Sequence, residues 1–232
     1  MMRIPPPVEA KERRLAALLA ATGRRADDPA LAEVVEDAQL LGSLELAGFQ
    51  TTWAEVRGSR ASDAGPEEVL ALRRVGRAVP REAPLSIAAL RSWHTALAGP
   101  VGFRRETRER DGTPPAPPEL IEGRLATLEE WLAATGIRDL KPEQSAGLVC
   151  ARIVEILPFD DGNGRVARVA ASHVMVAGGR HPPILVGADG PYLVAVLRAA
   201  FRLDTEPLVS LLVEASSRAL DVMIQSVVRG EV

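Results

Sequence analysis

Apolar residues recur at three- and four-residue intervals along almost the whole 232-residue chain, and no segment sustains a period-two alternation of strand-type residues. That spacing restricts the chain to helix packed on helix, an all-α fold. Leu208, Leu211, Leu212, Ala215 and Ala219 share one face of a closing helix over about 206–228. Leu31, Val34, Val35, Ala38, Leu41 and Glu45 lie along or near one side of a helix over about 29–46, which Gly48 stops. The same spacing, with Pro and Ser as start signals, predicts helices over about 9–22, from Trp53, and over 66–78, 86–98, 118–135 and 142–156. It predicts two more, from Asn163 or Gly164 to Gly178-Gly179 and over about 191–201. Residues up to Pro7 read as an extended arm, 58–65 as a small polar loop, and 99–117 as a mobile flap over a site. Ala146, Val149, Cys150, Ile153, Ile156 and Leu157 form one apolar stripe; Val166, Val169, Ala170, His173 and Ala177 form another.

The length and the 47% apolar content suit one domain with a sizeable core. No stretch approaches the roughly 18 to 20 apolar residues that span a bilayer, and no apolar leader precedes the charged residues 9–14, so a cytoplasmic protein without membrane attachment is expected. A net charge of −3 argues against nucleic acid as partner. The lone Cys150 excludes an internal disulfide and a Cys-based zinc site, and reads as a buried structural thiol.

Chemistry concentrates in residues 157–168, Leu-Pro-Phe-Asp-Asp-Gly-Asn-Gly-Arg-Val-Ala-Arg. Gly162 and Gly164 let the backbone adopt positive φ and approach an anion, at the head of a helix whose first N–H groups are unpaired. Arg165 and Arg168, about one turn apart, are placed to clamp phosphate oxygens. A plain Gly-rich turn before a helix with solvated arginines is the simpler reading of Gly-Asn-Gly alone; the whole string favours the anion site.

The string resembles the signature of the Fic (Fido) family, HPFxDGNGRxxR, at every fixed position except the first, where Leu157 stands in place of the catalytic histidine. The resemblance implies a general base that takes a proton from a target hydroxyl during transfer of AMP from ATP. Leucine accepts no proton, and general-base catalysis is worth roughly 100- to 10,000-fold. By the same resemblance Asp161 holds Mg²⁺, Gly162, Asn163 and Gly164 cradle phosphate, Arg165 contacts it, Arg168 reaches the outermost phosphate and Phe159 anchors the loop. Asp160 falls on the variable position, a minor candidate for a relocated base. Upstream, Ser43-Leu44-Glu45-Leu46-Ala47-Gly48 resembles the family's inhibitory helix, Ser/Thr-x-x-x-Glu-Gly/Asn, with Ala47 where the inhibitory glutamate stands. Glu45, two residues away, lies roughly 200° around the helix. Gly102-Phe103-Arg104 resembles the family's Gly-x-Arg before the flap, and Tyr192 an aromatic near the nucleotide base. Thr113-Pro114-Pro115 stands where the family has a target-aligning strand, which argues against recognition by strand pairing.

The resemblance spans about residues 30–215. It implies a Fic-like helical core over 61–232, with a short flap, behind an N-terminal helical region over 1–60 that carries the degenerate inhibitory segment. The expected function is a nucleotide or phosphate site, with Mg²⁺ and ATP or another nucleotide, in a pseudoenzyme or very weak adenylyltransferase that works by binding a ligand or partner. The alternative is a transferase of altered chemistry that uses a diphosphate-containing nucleotide or nucleotide-sugar. A third reading is an interaction module without ligand. A protein partner and homo-oligomer formation stay open. Of the other histidines, His173 reads as a hydrogen-bonded core residue, His94 as non-catalytic, and His181 is undetermined. Leu157 itself extends the apolar stripe and could fill the volume of an imidazole.

Overall fold

The helical spacing is realised in a computed structural model, which describes residues 8–62, 64–80, 83–100, 102–109, 114–134 and 139–231. Among these residues there are ten α-helices and no strand. They are α1 (Val8–Thr22), α2 (Pro29–Leu46), α3 (Trp53–Ser62), α4 (Glu67–Ala78), α5 (Ile87–Ala98), α6 (Ile121–Ala133), α7 (Pro142–Ile156), α8 (Asn163–Ala177), α9 (Gly190–Ala200) and α10 (Glu206–Arg229). No helix among the described residues is long and apolar enough to cross a membrane. The extended arm expected up to Pro7, and Thr113 of the flap, lie outside them.

The antiparallel pair α7 and α8 forms the centre, because small residues let the two backbones approach. Ala146, Val149 and Ile153 of α7 meet Val166, Ala167 and Ala170 of α8 in the main core, all with essentially no exposure. Trp93 of α5, Leu125 of α6, Val196 of α9 and Leu208 of α10 complete that core. A second cluster joins Leu15 and Leu19 of α1, Leu31 and Val35 of α2, and Leu220, Met223 and Ile224 of α10. A third joins Leu40 and Leu44 of α2 to Val56 of α3 and to Val69 and Leu72 of α4. α2 therefore belongs to two clusters, and this double anchorage brings its C-terminal end over the head of α8.

The approach of α2 depends on Gly42. A Cβ there would lie 1.8 Å from the carbonyl oxygen of Leu185, so any side chain displaces α2 or the 184–186 segment. Gly42→Ala is expected to lower stability by about 1–3 kcal/mol, the usual cost of overpacking, despite the better helix propensity of alanine. A denaturant melt that shows Gly42→Ala as stable as the parent would contradict this close approach.

Three expectations need correction. The polar stretch 58–65 is not a loop throughout, since α3 continues to Ser62. Its polar side chains are used inside the fold: Ser59 donates to the carbonyl of Val56 and accepts from Arg73 Nε at 2.8 Å, while Arg60 pairs with Glu33 and Asp37 of α2. The helix expected over 118–135 begins as a 3-10 turn at Pro118–Leu120, and its α-helical part ends at Ala133. Leu157 does not continue the stripe of α7; it caps the helix in the left-handed region, at φ 53° and ψ 61°, and its side chain is half-buried. Pro158 supplies the reason, because a following proline disfavours the right-handed helical conformation.

Candidate anion site at the head of α8

The segment 157–162 turns the chain from α7 into α8, and its own side chains fix the turn. Asn163 is buried: its Oδ1 accepts from the Phe159 N–H at 2.9 Å and its Nδ2 donates to the Phe159 carbonyl at 2.8 Å. Asn163 thus clasps the loop from within and does not face outward. Phe159, fully buried, stacks on His94 with ring centroids 3.8 Å apart and contacts Phe103 at 5.5 Å. Asn163→Ala would leave both Phe159 backbone groups unpaired in the core, so a stability loss of about 1–3 kcal/mol is expected. Thermal unfolding checks it, and an unchanged melting temperature would mean that the clasp contributes nothing.

Gly162 then precedes α8 at φ 77°, a conformation that costs glycine little, and no side chain caps the helix. The first amides of α8 have no intrahelical partners, and the positive end of the helix dipole points out of the loop. The two glycines lie directly beside the cations. A Cβ on Gly162 would meet Arg165 Nη2 at 3.7 Å, and one on Gly164 would meet Arg168 Nη1 at 3.3 Å.

Neither arginine is turned out into water. Arg165, with 11% of its side chain exposed, lies over the Phe49 ring at 5.4 Å and reaches Asp161 Oδ2 at 3.2 Å; that carboxylate is 90% exposed, which makes the pair a weak one. Arg168 donates from Nε to Ser43 Oγ at 3.0 Å and from Nη2 to the Ser43 carbonyl at 2.8 Å. Burial lowers the Arg168 pKa to about 10, and no carboxylate partners it among the described residues. Ala47 caps α2 and supplies no charge, while Gly48 follows at φ 85°. Glu45 turns the other way and accepts from the Gly187 N–H at 2.9 Å.

The flap is tied down at its base by Arg104. This buried guanidinium donates to the carbonyls of Leu157 at 2.6 Å, Glu106 at 2.7 Å and Ile156 at 3.4 Å, and to that of Ala116. The Arg104 N–H also donates to the Pro158 carbonyl at 3.0 Å, and Arg108 pairs with Asp160 at 2.9 Å. Two elements distant in sequence are thereby locked to one loop. His94 completes the floor with Nε2 at 3.2 Å from the Asp161 carbonyl, and burial holds its pKa below the usual range.

The structure brings Ser43, Asp161, Gly162, Gly164, Arg165 and Arg168 to one place, with Leu157 at its edge. Tyr192 sits in the first turn of α9, half exposed. His173 bonds the Ala83 carbonyl at 2.7 Å and packs edge-on to Trp93. His181 lies 4.0 Å from Glu12, away from the loop. Sequence reasoning missed Phe49 under Arg165, for which no local signal exists. It also missed Gly42, whose signal was an isolated glycine inside a helical pattern.

A helix-bundle core thus carries a Gly-Asn-Gly loop flanked by two sheltered arginines, a candidate site for an anion. Residues 84–175 match the model of the Fic/DOC family. It is 30% identical over 116 residues to the protein adenylyltransferase Fic of Nematostella vectensis, an alignment covering 50% of this chain and 27% of that protein. The chain thus spans about a third or less of the curated relatives it matches. Among solved structures, Fic-1 (aa134–508) from C. elegans superposes with a TM-score of 0.77 at 20% identity, over 96% of this chain and 73% of that one. A Fic domain containing signaling protein from Bacteroides thetaiotaomicron gives 0.75 at 17% identity, over 96% and 97%. IbpAFic2 covalently tethered to Cdc42 gives 0.55 at 16% identity, over 93% and 72%. At these identities the structures establish the fold alone.

Proposed function

We propose that residues 160–164, with Arg165 and Arg168, bind the phosphates of a nucleotide, and that Leu157 leaves AMP transfer absent or feeble, so that the protein works by binding a ligand or a partner. The observation that carries this reading is the uncapped head of α8 beside Arg168, a buried guanidinium without a carboxylate partner among the described residues. Backbone amides and a guanidinium in a sheltered place hold phosphate oxygens better than they would in water.

Asp161 is the group suited to magnesium, since Mg²⁺ keeps several waters and takes one or two carboxylates beside substrate phosphates. Its exposed carboxylate, 3.2 Å from Arg165, is free to change partner. Such an ion would neutralise phosphate charge. The chain's own groups supply the rest: loop amides orient the phosphates, Arg168 reaches the outermost one, and the Arg104 clamp fixes the Leu157 carbonyl at the rim. Leu157 has no atom that can take a proton from an attacking hydroxyl.

The preserved set of phosphate-handling residues also supports a second reading, a transferase whose attacking group needs no strong base and whose donor is another diphosphate-containing substrate. The tethering of IbpAFic2 to Cdc42 favours a protein as partner in either case. Within this reading residues 1–60 carry the segment that touches Arg168, and 61–232 the core.

Isothermal titration with ATP, ADP, CTP and UDP-sugars in the presence of Mg²⁺ tests the proposal, and no binding by any of them would leave an interaction module. Radiolabelled nucleotide with lysate separates binding from transfer. Arg168→Ala is expected to weaken ATP about tenfold or more, as loss of a charge-assisted hydrogen bond implies, and AMP much less. Equal losses would show that Arg168 does not serve the outermost phosphate.

A further inference from the structure

The two arginines beside the head of α8 are both held from one stretch of chain, residues 43–49, at and just beyond the end of α2. Ser43 accepts from Arg168 twice, through its hydroxyl from Nε at 3.0 Å and through its carbonyl from Nη2 at 2.8 Å. Phe49, further along the same stretch, lies under the Arg165 guanidinium, with its ring centroid 5.4 Å away. Both grips leave a guanidinium nitrogen beside the loop. Arg168 Nη1 stands 3.3 Å from the position a Cβ on Gly164 would take, and Arg165 Nη2 stands 3.7 Å from that of Gly162.

The stretch is itself fixed to the fold. Leu44 is fully buried in the cluster with Val56, Val69 and Leu72, and Phe49 packs against that cluster. The Phe49 N–H donates to the Leu44 carbonyl at 3.0 Å, which closes the turn around Gly48.

The grips are chemically neutral, and this decides what they do. A carboxylate would orient a guanidinium but also cancel its charge, so that an arriving phosphate would have to displace it. A hydroxyl, a carbonyl and an aromatic face orient the cation and leave its charge uncancelled. Within 43–49 the one carboxylate is Glu45, and it accepts from the Gly187 N–H instead, at 2.9 Å. Asp161, which Arg165 reaches at 3.2 Å, is 90% exposed and a weak competitor. An arginine held in advance binds an anion without the entropy cost of ordering a long side chain on arrival, worth about two- to tenfold in affinity for each side chain.

We propose that residues 43–49 form an orienting clamp, in which Ser43 and Phe49 are positioning residues that hold Arg168 and Arg165 ready for an oxyanion at the head of α8. The inference rests on the nucleotide reading and deepens it: the end of α2 supports the ligand, so the affinity of the site depends on the N-terminal region as well as on the loop.

The test is calorimetric titration of the full chain with inorganic pyrophosphate, and separately with ATP and Mg²⁺. Ser43→Ala and Phe49→Leu are each expected to weaken both probes about two- to tenfold, and the double variant more than either. Ser43→Thr and Phe49→Tyr, which keep the hydroxyl and the aromatic face, should bind as the parent does, a rescue that a loss of stability alone does not produce. The Arg168 Nε–H is also expected to give a slowly exchanging signal in heteronuclear NMR spectra, which Ser43→Ala loses and Ser43→Thr keeps. Should Phe49→Leu fail to fold by circular dichroism, Phe49→Met takes its place. Parent-like affinity in the double variant would overturn the clamp and leave the nucleotide reading standing. Tighter binding by either single variant would also overturn it, since the segment would then compete with the ligand. No binding of either probe by the folded parent would end the nucleotide reading and the clamp with it.

Discussion

Leu157→His is expected to raise AMP transfer over the parent by about 100- to 10,000-fold, the worth of a general base. The backbone is already suited to the change. Position 157 lies at φ 53° and ψ 61°, where histidine is several-fold enriched over most residues, while a leucine there carries strain of about 1–2 kcal/mol. Its carbonyl is held by Arg104 at 2.6 Å, and the residue precedes the loop by only a few positions, so an imidazole would stand at the rim of the anion site. Incubating the variant with labelled ATP, alone and with lysate, measures the gain as label on itself or on other proteins. A Leu157→His protein that binds nucleotide normally yet transfers nothing would show that the rim does not have the geometry of a Fic-type active site.

Asp37→Ala is expected to be the most destabilising single change considered, at about 3–5 kcal/mol out of a typical total of about 5–15. Asp37 is fully buried in α2 and accepts from Arg73 at 2.6 Å and from Arg60, so its removal leaves two guanidiniums without their shared partner. Arg73 is itself buried and also donates to the Val56 carbonyl at 2.5 Å. This network holds α3 and α4 against α2, and so steadies the helix whose far end carries Ser43 onto Arg168. Urea unfolding would report the loss as a lower midpoint. A change below about 1 kcal/mol would mean that the network is solvated and that α2 is held by its apolar contacts alone.

Helices were legible where start and stop signals are local. Asp28 and Pro29 open α2, Ser86 accepts from the Ala89 N–H to open α5, and Pro142 opens α7. The turn at the head of α8 and the arginines beside it were legible for the same reason, since Gly162, Gly164, Arg165 and Arg168 fall within seven consecutive positions. What escaped depended on distant partners. Small polar residues after Gly58 suggest a loop until Arg73, fourteen positions beyond Ser59, is seen to bury that hydroxyl. Leu157 fits the period of α7, yet Pro158 breaks it, a signal present in the sequence that apolar spacing outweighed. Ser43 and Arg168 are 125 positions apart, and only the fold shows that a serine takes up two donors of a guanidinium left without a carboxylate.

The most direct measurement is a crystal structure of the full chain grown or soaked with ATP and Mg²⁺. The account predicts phosphate oxygens on the amides at the head of α8, with the outermost phosphate on Arg168 and the metal on Asp161. A nucleotide seated elsewhere, or an empty loop at saturating ATP with Arg168 still held by Ser43 alone, would contradict it.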